Sequence, residues 1–230
     1  TPISDVDGRA ANGVVQVIDG VILPGSVAAQ FPANVRVAQL SGDAGNVDVY
    51  INYQPVLTDV APEALSDWKL LPAGIYNIAV APTGTSIGDA VIGPMDVTLL
   101  PGSWTTIAAL GSVADGTITS AVIEEDGAVQ AANQANLTVI HQIADAPPFN
   151  VLANGALLLS NLGYPGTLGD NDGVSTIGVP AGTLNIVINA SGVPFFDLGS
   201  VTFEPGQSVI VVATGTAAEP AVSVITTPAS

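Results

Sequence analysis

The chain has 230 residues, of which 20 are acidic, 3 are basic, one is histidine and none is cysteine, for a formal charge of -17. Binding to a polyanion needs clustered Lys and Arg, and Arg9, Arg36 and Lys69 are scattered singly, so nucleic acid and anionic membrane surfaces are excluded as partners. The lack of cysteine likewise excludes thiolate zinc, a thiol nucleophile and a disulfide framework, and leaves stability to packing.

Only 10% of residues are charged and 48% are hydrophobic, so the surface is made largely of Thr, Ser, Asn, Gln, Gly and Ala. Mean hydropathy is +0.52, yet every apolar run stops well short of the ~18 to 20 residues of a spanning helix. No membrane span is expected. The chain opens on Thr1 without a basic-then-apolar leader, which reads as a mature chain whose secretion signal or larger precursor segment has been removed.

In chain order, residues 1–32 form a leading segment whose run Val14, Val15, Val17, Ile18, Val21, Ile22 and Leu23 predicts a strand apolar on both faces. Two repeats follow. Ala33-Asn34-Val35-Arg36-Val37-Ala38-Gln39 returns 102 residues later as Ala135-Asn136-Leu137-Thr138-Val139-Ile140-His141. Asp43-Ala44, Leu71-Pro72-Ala73-Gly74 and Pro101-Gly102 return in the same order as Asp145-Ala146, Val179-Pro180-Ala181-Gly182 and Pro205-Gly206. Four recurring blocks mark a duplication. Each repeat reads as short runs rich in Val, Ile and Thr, bounded by Gly, Pro, Asn and Asp every ~8 to 12 residues, the pattern of an antiparallel sandwich. The predicted architecture is therefore all-β: tandem sandwiches over residues 33–126 and 135–230, a linker at 127–134 and an extra N-terminal β segment. The Pro-Ala-Gly and Pro-Gly corners are expected to be hairpin turns, and Glu124-Glu125-Asp126 a solvated strand end.

The blocks Val35 to Ser41, Asp43-Ala44, Val47 to Asn52 and Leu71 to Gly74 resemble the family catalogued as domain of unknown function 4397, as does the second repeat. The resemblance implies an immunoglobulin-like sandwich in a secreted or cell-surface protein of a bacterium or archaeon, with no assigned activity. Ser41-Gly42-Asp43-Ala44-Gly45 departs from the family's Ser-Pro-Asp-Ala-Pro and keeps only Asp43-Ala44. The segment Asn12 to Pro24 resembles the closing strands of a fasciclin domain, an adhesion module, with Gln16 where that family has His. The resemblance implies that the sheet those strands would join was either cut off with a precursor or never kept. At ~1.5 to 3 kcal/mol for each large apolar side chain taken out of water, leaving the seven exposed forfeits on the order of 10 kcal/mol, so the segment must pack on its own first sandwich or add a strand to a neighbouring copy, as in β-augmentation.

Catalytic chemistry is poorly supplied. His141 aligns with Gln39 inside a β run and reads as a strand histidine satisfied by backbone, and Asp43 and Asp145 read as turn caps. Asp170 and Asp172, with Asn171 and Gly173, are the candidate calcium ligands, though the motif lacks the Glu that completes an EF-hand and a solvated turn is the simpler reading. Asn136 and Asn189 head glycosylation sequons. Trp68, Trp104, Tyr50, Tyr53, Tyr76, Phe195 and Phe196 are read mainly as core. The expected function is a non-enzymatic extracellular structural or adhesion protein whose partners are copies of itself, head to tail; the alternative is a monomeric surface module that binds a glycan or protein.

Overall fold

The computed structural model describes residues 3–10, 13–18, 31–125, 133–167 and 172–227. Among them are nineteen strands, one short 3-10 turn at Ile87–Asp89 and no α-helix. β1 (Ile3–Ala10) and β2 (Gly13–Ile18) form an antiparallel hairpin that is a two-stranded sheet of its own.

The first sandwich has an outer sheet, in the order β5 (Gln54–Val60), β4 (Val47–Ile51), β8 (Gly74–Pro82), β9 (Ile92–Leu99). Its inner sheet runs β11 (Thr119–Glu124), β10 (Trp104–Leu110), β3 (Ala33–Gln39), and then an edge split into β6 (Ala64–Leu65) and β7 (Lys69–Leu71). The second sandwich repeats the plan. Its outer sheet is β14 (Ala156–Leu162), β13 (Phe149–Ala153), β16 (Gly182–Ala190), β17 (Val193–Phe203), and its inner sheet is β15 (Val174–Pro180), β12 (Gln134–His141), β18 (Ser208–Gly215), β19 (Pro220–Thr227). The antiparallel expectation holds except that the first strand of each sandwich lies parallel to its seventh-position partner, β3 on β10 and β12 on β18. β12 also starts at Gln134, the last residue assigned to the linker.

The duplication extends to fine geometry. Asn52-Tyr53 and Asn154-Gly155 join β4 to β5 and β13 to β14 as two-residue turns with both residues at positive φ, the mirror-type turn whose twist suits a hairpin. One turn later an edge bulge is held the same way: Asp48 Oδ1 accepts the Asp59 N–H at 2.9 Å, and Asn150 Oδ1 accepts the Asn161 N–H at 2.9 Å. The Pro-Ala-Gly and Pro-Gly corners are not hairpins. β7 to β8 and β15 to β16 cross from inner to outer sheet, and β9 to β10 and β17 to β18 cross back. At the two Pro-Gly corners, a Pro-preset residue followed by Gly at φ 77, Gly102 and Gly206, reverses the chain without requiring its two arms to pair.

The inner strands are buried on both faces. On β3, Ala33, Val35 and Val37 enter the first sandwich's own core, while Ala38 and the adjoining Leu40 point the other way. On β12, Leu137 and Val139 enter the second core and Ile140 points away from it. Ala38, Leu40, Ala108, Leu110, Ala121, Ile123, Ile140, Ile210 and Val212 meet in a third apolar cluster, so the two inner sheets pack face to face. The two repeats are thus four sheets deep with cores in all three gaps, which welds them into one block.

Candidate functional site

At one end of the seam between repeats, the apolar cluster gives way to a polar one. Arg36 on β3 donates from Nη2 to Glu125 Oε1 at 2.7 Å and from Nε to Thr106 Oγ1 at 2.8 Å. The same Nη2 reaches Thr227 Oγ1 of the second repeat at 3.3 Å. The Thr106 and Thr227 hydroxyls each donate to Glu125. The guanidinium carbon lies 4.3 Å from the centroid of Trp68, which meets Trp104 edge-on at 4.9 Å. Glu125 is 1% exposed, so the expectation of a solvated strand end is corrected at this residue: Glu124 is exposed, Glu125 is drawn inward by a cation 89 positions away, and Asp126 lies outside the described residues. Buried charge requires a partner and full hydrogen bonding, and this carboxylate has both. The arrangement holds no free nucleophile; it fastens the repeats. At the other end of the seam, Gly111 N–H donates to Gln142 Oε1 at 2.8 Å.

His141 is wholly buried and stacks on Phe149 with ring centroids 3.7 Å apart. Its Nδ1 accepts the Ile143 N–H at 3.2 Å, so Nε2 carries the proton toward Pro147 O at 3.3 Å. Burial pushes its pKa down to about 4, against a small opposing effect of the Pro147 carbonyl. In the first repeat Gln39 makes the corresponding pair of bonds, accepting the Ser41 N–H at 3.3 Å and donating to Gly45 O at 3.2 Å. A neutral imidazole and a primary amide are interchangeable here as one acceptor and one donor. His141 is therefore a backbone brace, as its alignment with Gln39 suggested.

Asp43 caps the loop after β10, accepting the Val113 and Ala114 N–H groups and the Ser112 and Ser41 hydroxyls. Desolvation pushes its pKa upward, but the bonds from Ala114, Ser112, Val113 and Ser41 outweigh it and hold the carboxyl at about 2. Asp145 accepts the Ala217 N–H at 2.8 Å in the matching place. Both act as turn caps, as read from sequence.

Of the candidate calcium ligands, Asp170 lies outside the described residues. Asp172 accepts the Val174 N–H at 3.0 Å and stands at the mouth of a cleft of about 240 Å³ between β14 and β15. No group of three His, Asp or Glu placed to hold a metal occurs among the described residues. Asn136 is 6% exposed on β12, between β15 and β18, so a glycan there is incompatible with this packing; Asn189 is half-buried on β16. Phe195 and Phe196 are half-buried against Phe149 and the second core. Tyr53 is an exception among the aromatics, 62% exposed at the tip of its hairpin. Val14, Val15, Val17 and Ile18 fall on β2, whose one strand partner among the described residues is β1. Val21, Ile22 and Leu23 lie outside the described residues.

Fold and seam together define a tandem β-sandwich protein whose most elaborate polar cluster is structural. No helix among the described residues is long and apolar enough to cross a membrane. The family described as domain of unknown function (DUF4397) matches residues 33–147 and 135–230, and the chain belongs to that family. No curated protein matches it. Among solved structures it is similar to the C-terminal domain of AlgF from P. aeruginosa, at 16% identity and TM-score 0.33 over 41% of this chain and 99% of that one. It is also similar to a leucine-rich repeat protein from Bacteroides thetaiotaomicron, at 14% identity and TM-score 0.23 over 80% of this chain and 26% of that one. A third is a putative cell adhesion protein from Bacteroides fragilis, at 10% identity and TM-score 0.23 over 82% of this chain and 86% of that one. At these scores the three carry no argument about function.

Proposed function

We propose that the chain is a non-enzymatic extracellular structural or adhesion protein that polymerises head to tail, the N-terminal hairpin of one copy adding to an open sheet edge of the next. The observation behind this reading is the β1–β2 hairpin, which among the described residues pairs with no third strand. A lone two-stranded hairpin is marginal in water, and leaving apolar side chains such as Val14, Val15, Val17 and Ile18 in water would add a further cost. Addition to a sheet edge removes both penalties, and a head-to-tail contact that does not close produces a filament. The welded pair of sandwiches suits a load-bearing unit. Against catalysis, His141 and the buried carboxylates Asp48 and Glu125 are all committed to structural hydrogen bonds. Light scattering over a concentration series tests the reading. Mass that rises with concentration supports it, and a monomer at every concentration contradicts it.

Tyr53 favours a second reading, a surface module gripping a glycan or protein partner. It holds an exposed ring at a hairpin tip with φ 65, where the second repeat has Gly155. Saturable binding by a monomer, lost in Tyr53→Gly, would support this alternative.

A further inference from the structure

The sandwiches present several sheet edges, and they are not equally open. Native proteins block edge pairing with bulges, prolines, charges or very short strands. On the outer sheets, β5 carries Pro55 and the bulge at Asp59, β14 the bulge at Asn161, β9 Pro94 and a break in register, and β17 Pro194 with a break at Gly199. On the inner sheet of the first repeat, β6 and β7 are two and three residues long. β11 ends on Glu124 and is tied to β9 by a Ser120 Oγ to Met95 Sδ bond at 3.1 Å. On the second inner sheet, β15 has Gly178 in its interior and ends on Pro180, and its first residues face β14 across the cleft that has Asp172 at its mouth.

β19 is the least guarded of these edges. Its eight residues pair with β18 from Ser208↔Thr227 to Gly215↔Pro220 without a bulge, its one proline is the first residue, and Pro-Ala-Val-Ser-Val-Ile-Thr-Thr contains no charge. Val224 is 47% exposed on it. Beside it, Ser223 and Ile225 line a groove of about 110 Å³ shared with Leu40, Glu63 and Leu65 of the first repeat, Glu63 being the one charged residue of that lining.

We infer that β19 is the acceptor edge and that its occupant is β2 of a second copy, an inference that rests on the polymer reading above. Charge selects this pair. Two chains of -17 each repel, so a stable contact has to be made through uncharged strips. Gly-Val-Val-Gln-Val-Ile of β2 is uncharged, as is the whole of β19, and six residues fit within an eight-residue edge. With β1 on one side of β2, its other side is unpaired among the described residues. Main-chain hydrogen bonds then supply affinity and the alternating side chains supply register. The hairpin extends the second inner sheet from four strands to six, beside the seam that fastens the repeats.

The test uses the full chain carrying Val224→Lys and Thr226→Lys, a charged guard at two exposed positions, beside Val122→Lys on β11. Electron microscopy and pelleting should show the β19 variant with a critical concentration raised about tenfold or more, an unchanged thermal midpoint, and normal polymers from Val122→Lys. In a second measurement, excess peptide spanning residues 11–24 should shorten polymers of the unaltered chain and bind a chain beginning at Ala33, but not that shorter chain when it carries the two Lys changes. Polymers that persist in the β19 variant, yet vanish when residues 1–24 are deleted, overturn the edge assignment and leave the polymer reading standing. Polymers that survive both changes, or an unaltered chain that is always monomeric, overturn both.

Discussion

Arg36 and Glu125 lie 2.7 Å apart at the seam between the repeats, with Thr227 of the second repeat hydrogen-bonded to both. Removing one member of a buried pair strands the other charge, which typically costs ~3 to 5 kcal/mol, whereas replacing both with apolar residues of similar size is often neutral. Arg36→Ala and Glu125→Ala should therefore each lower unfolding stability by ~3 to 5 kcal/mol. The double change Arg36→Met with Glu125→Leu should recover most of that loss. Denaturant midpoints for the four chains check it.

His141 makes stability depend on pH over a defined window. Its folded pKa of about 4 is below the ordinary 6.5, so the unfolded chain takes up a proton first. The contribution is complete above pH 6.5 and is lost as pH falls from there through 4. In His141→Gln, which copies Gln39, thermal midpoints should be flat over that window while the fold is kept. A slope equal to that of the unaltered chain would show that another group titrates there.

Asp43 acts in a lower window. With its folded pKa at about 2 against an ordinary 3.8, its stabilisation is present above pH 3.8 and disappears as pH falls through 2. Asp48, held below its ordinary value mainly by the Gly84 and Asp59 N–H groups, adds to the same acid loss. Asp43→Asn should weaken the chain at pH 6 and flatten its response between pH 4 and 2, as read by thermal unfolding at each pH.

Tyr53 sits at φ 65 where its counterpart is Gly155. A left-handed residue with a Cβ costs roughly 1 to 2 kcal/mol, partly offset by the extra chain entropy a glycine loses on folding. Tyr53→Gly should accordingly stabilise the chain by up to about 1 kcal/mol in the same assay, and Gly155→Ala should destabilise it.

The duplication, the strand content and the turn-capping roles of Asp43 and Asp145 were legible in the sequence because each depends on local spacing that recurs at a fixed offset. His141 was legible through its alignment with Gln39. The seam was not. In Ala33 to Leu40 almost every side chain is buried, so the alternation that usually separates core from solvent is erased, and nothing local says that one face meets the other repeat. Arg36 read as an isolated cation and Glu125 as a solvated one of three acids because their pairing spans 89 positions. The crossing corners were misread as hairpins for a related reason: a Pro-Gly turn specifies a reversal, and which sheet receives the next strand is decided by long-range packing.

Polymerisation through the N-terminal hairpin is tested by negative-stain electron microscopy of the purified chain at neutral pH beside a chain beginning at Ala33. Fibres are expected from the full chain and monodisperse particles from the shorter one. Monodisperse particles from both, or fibres from both, would contradict a polymer built by the N-terminal hairpin.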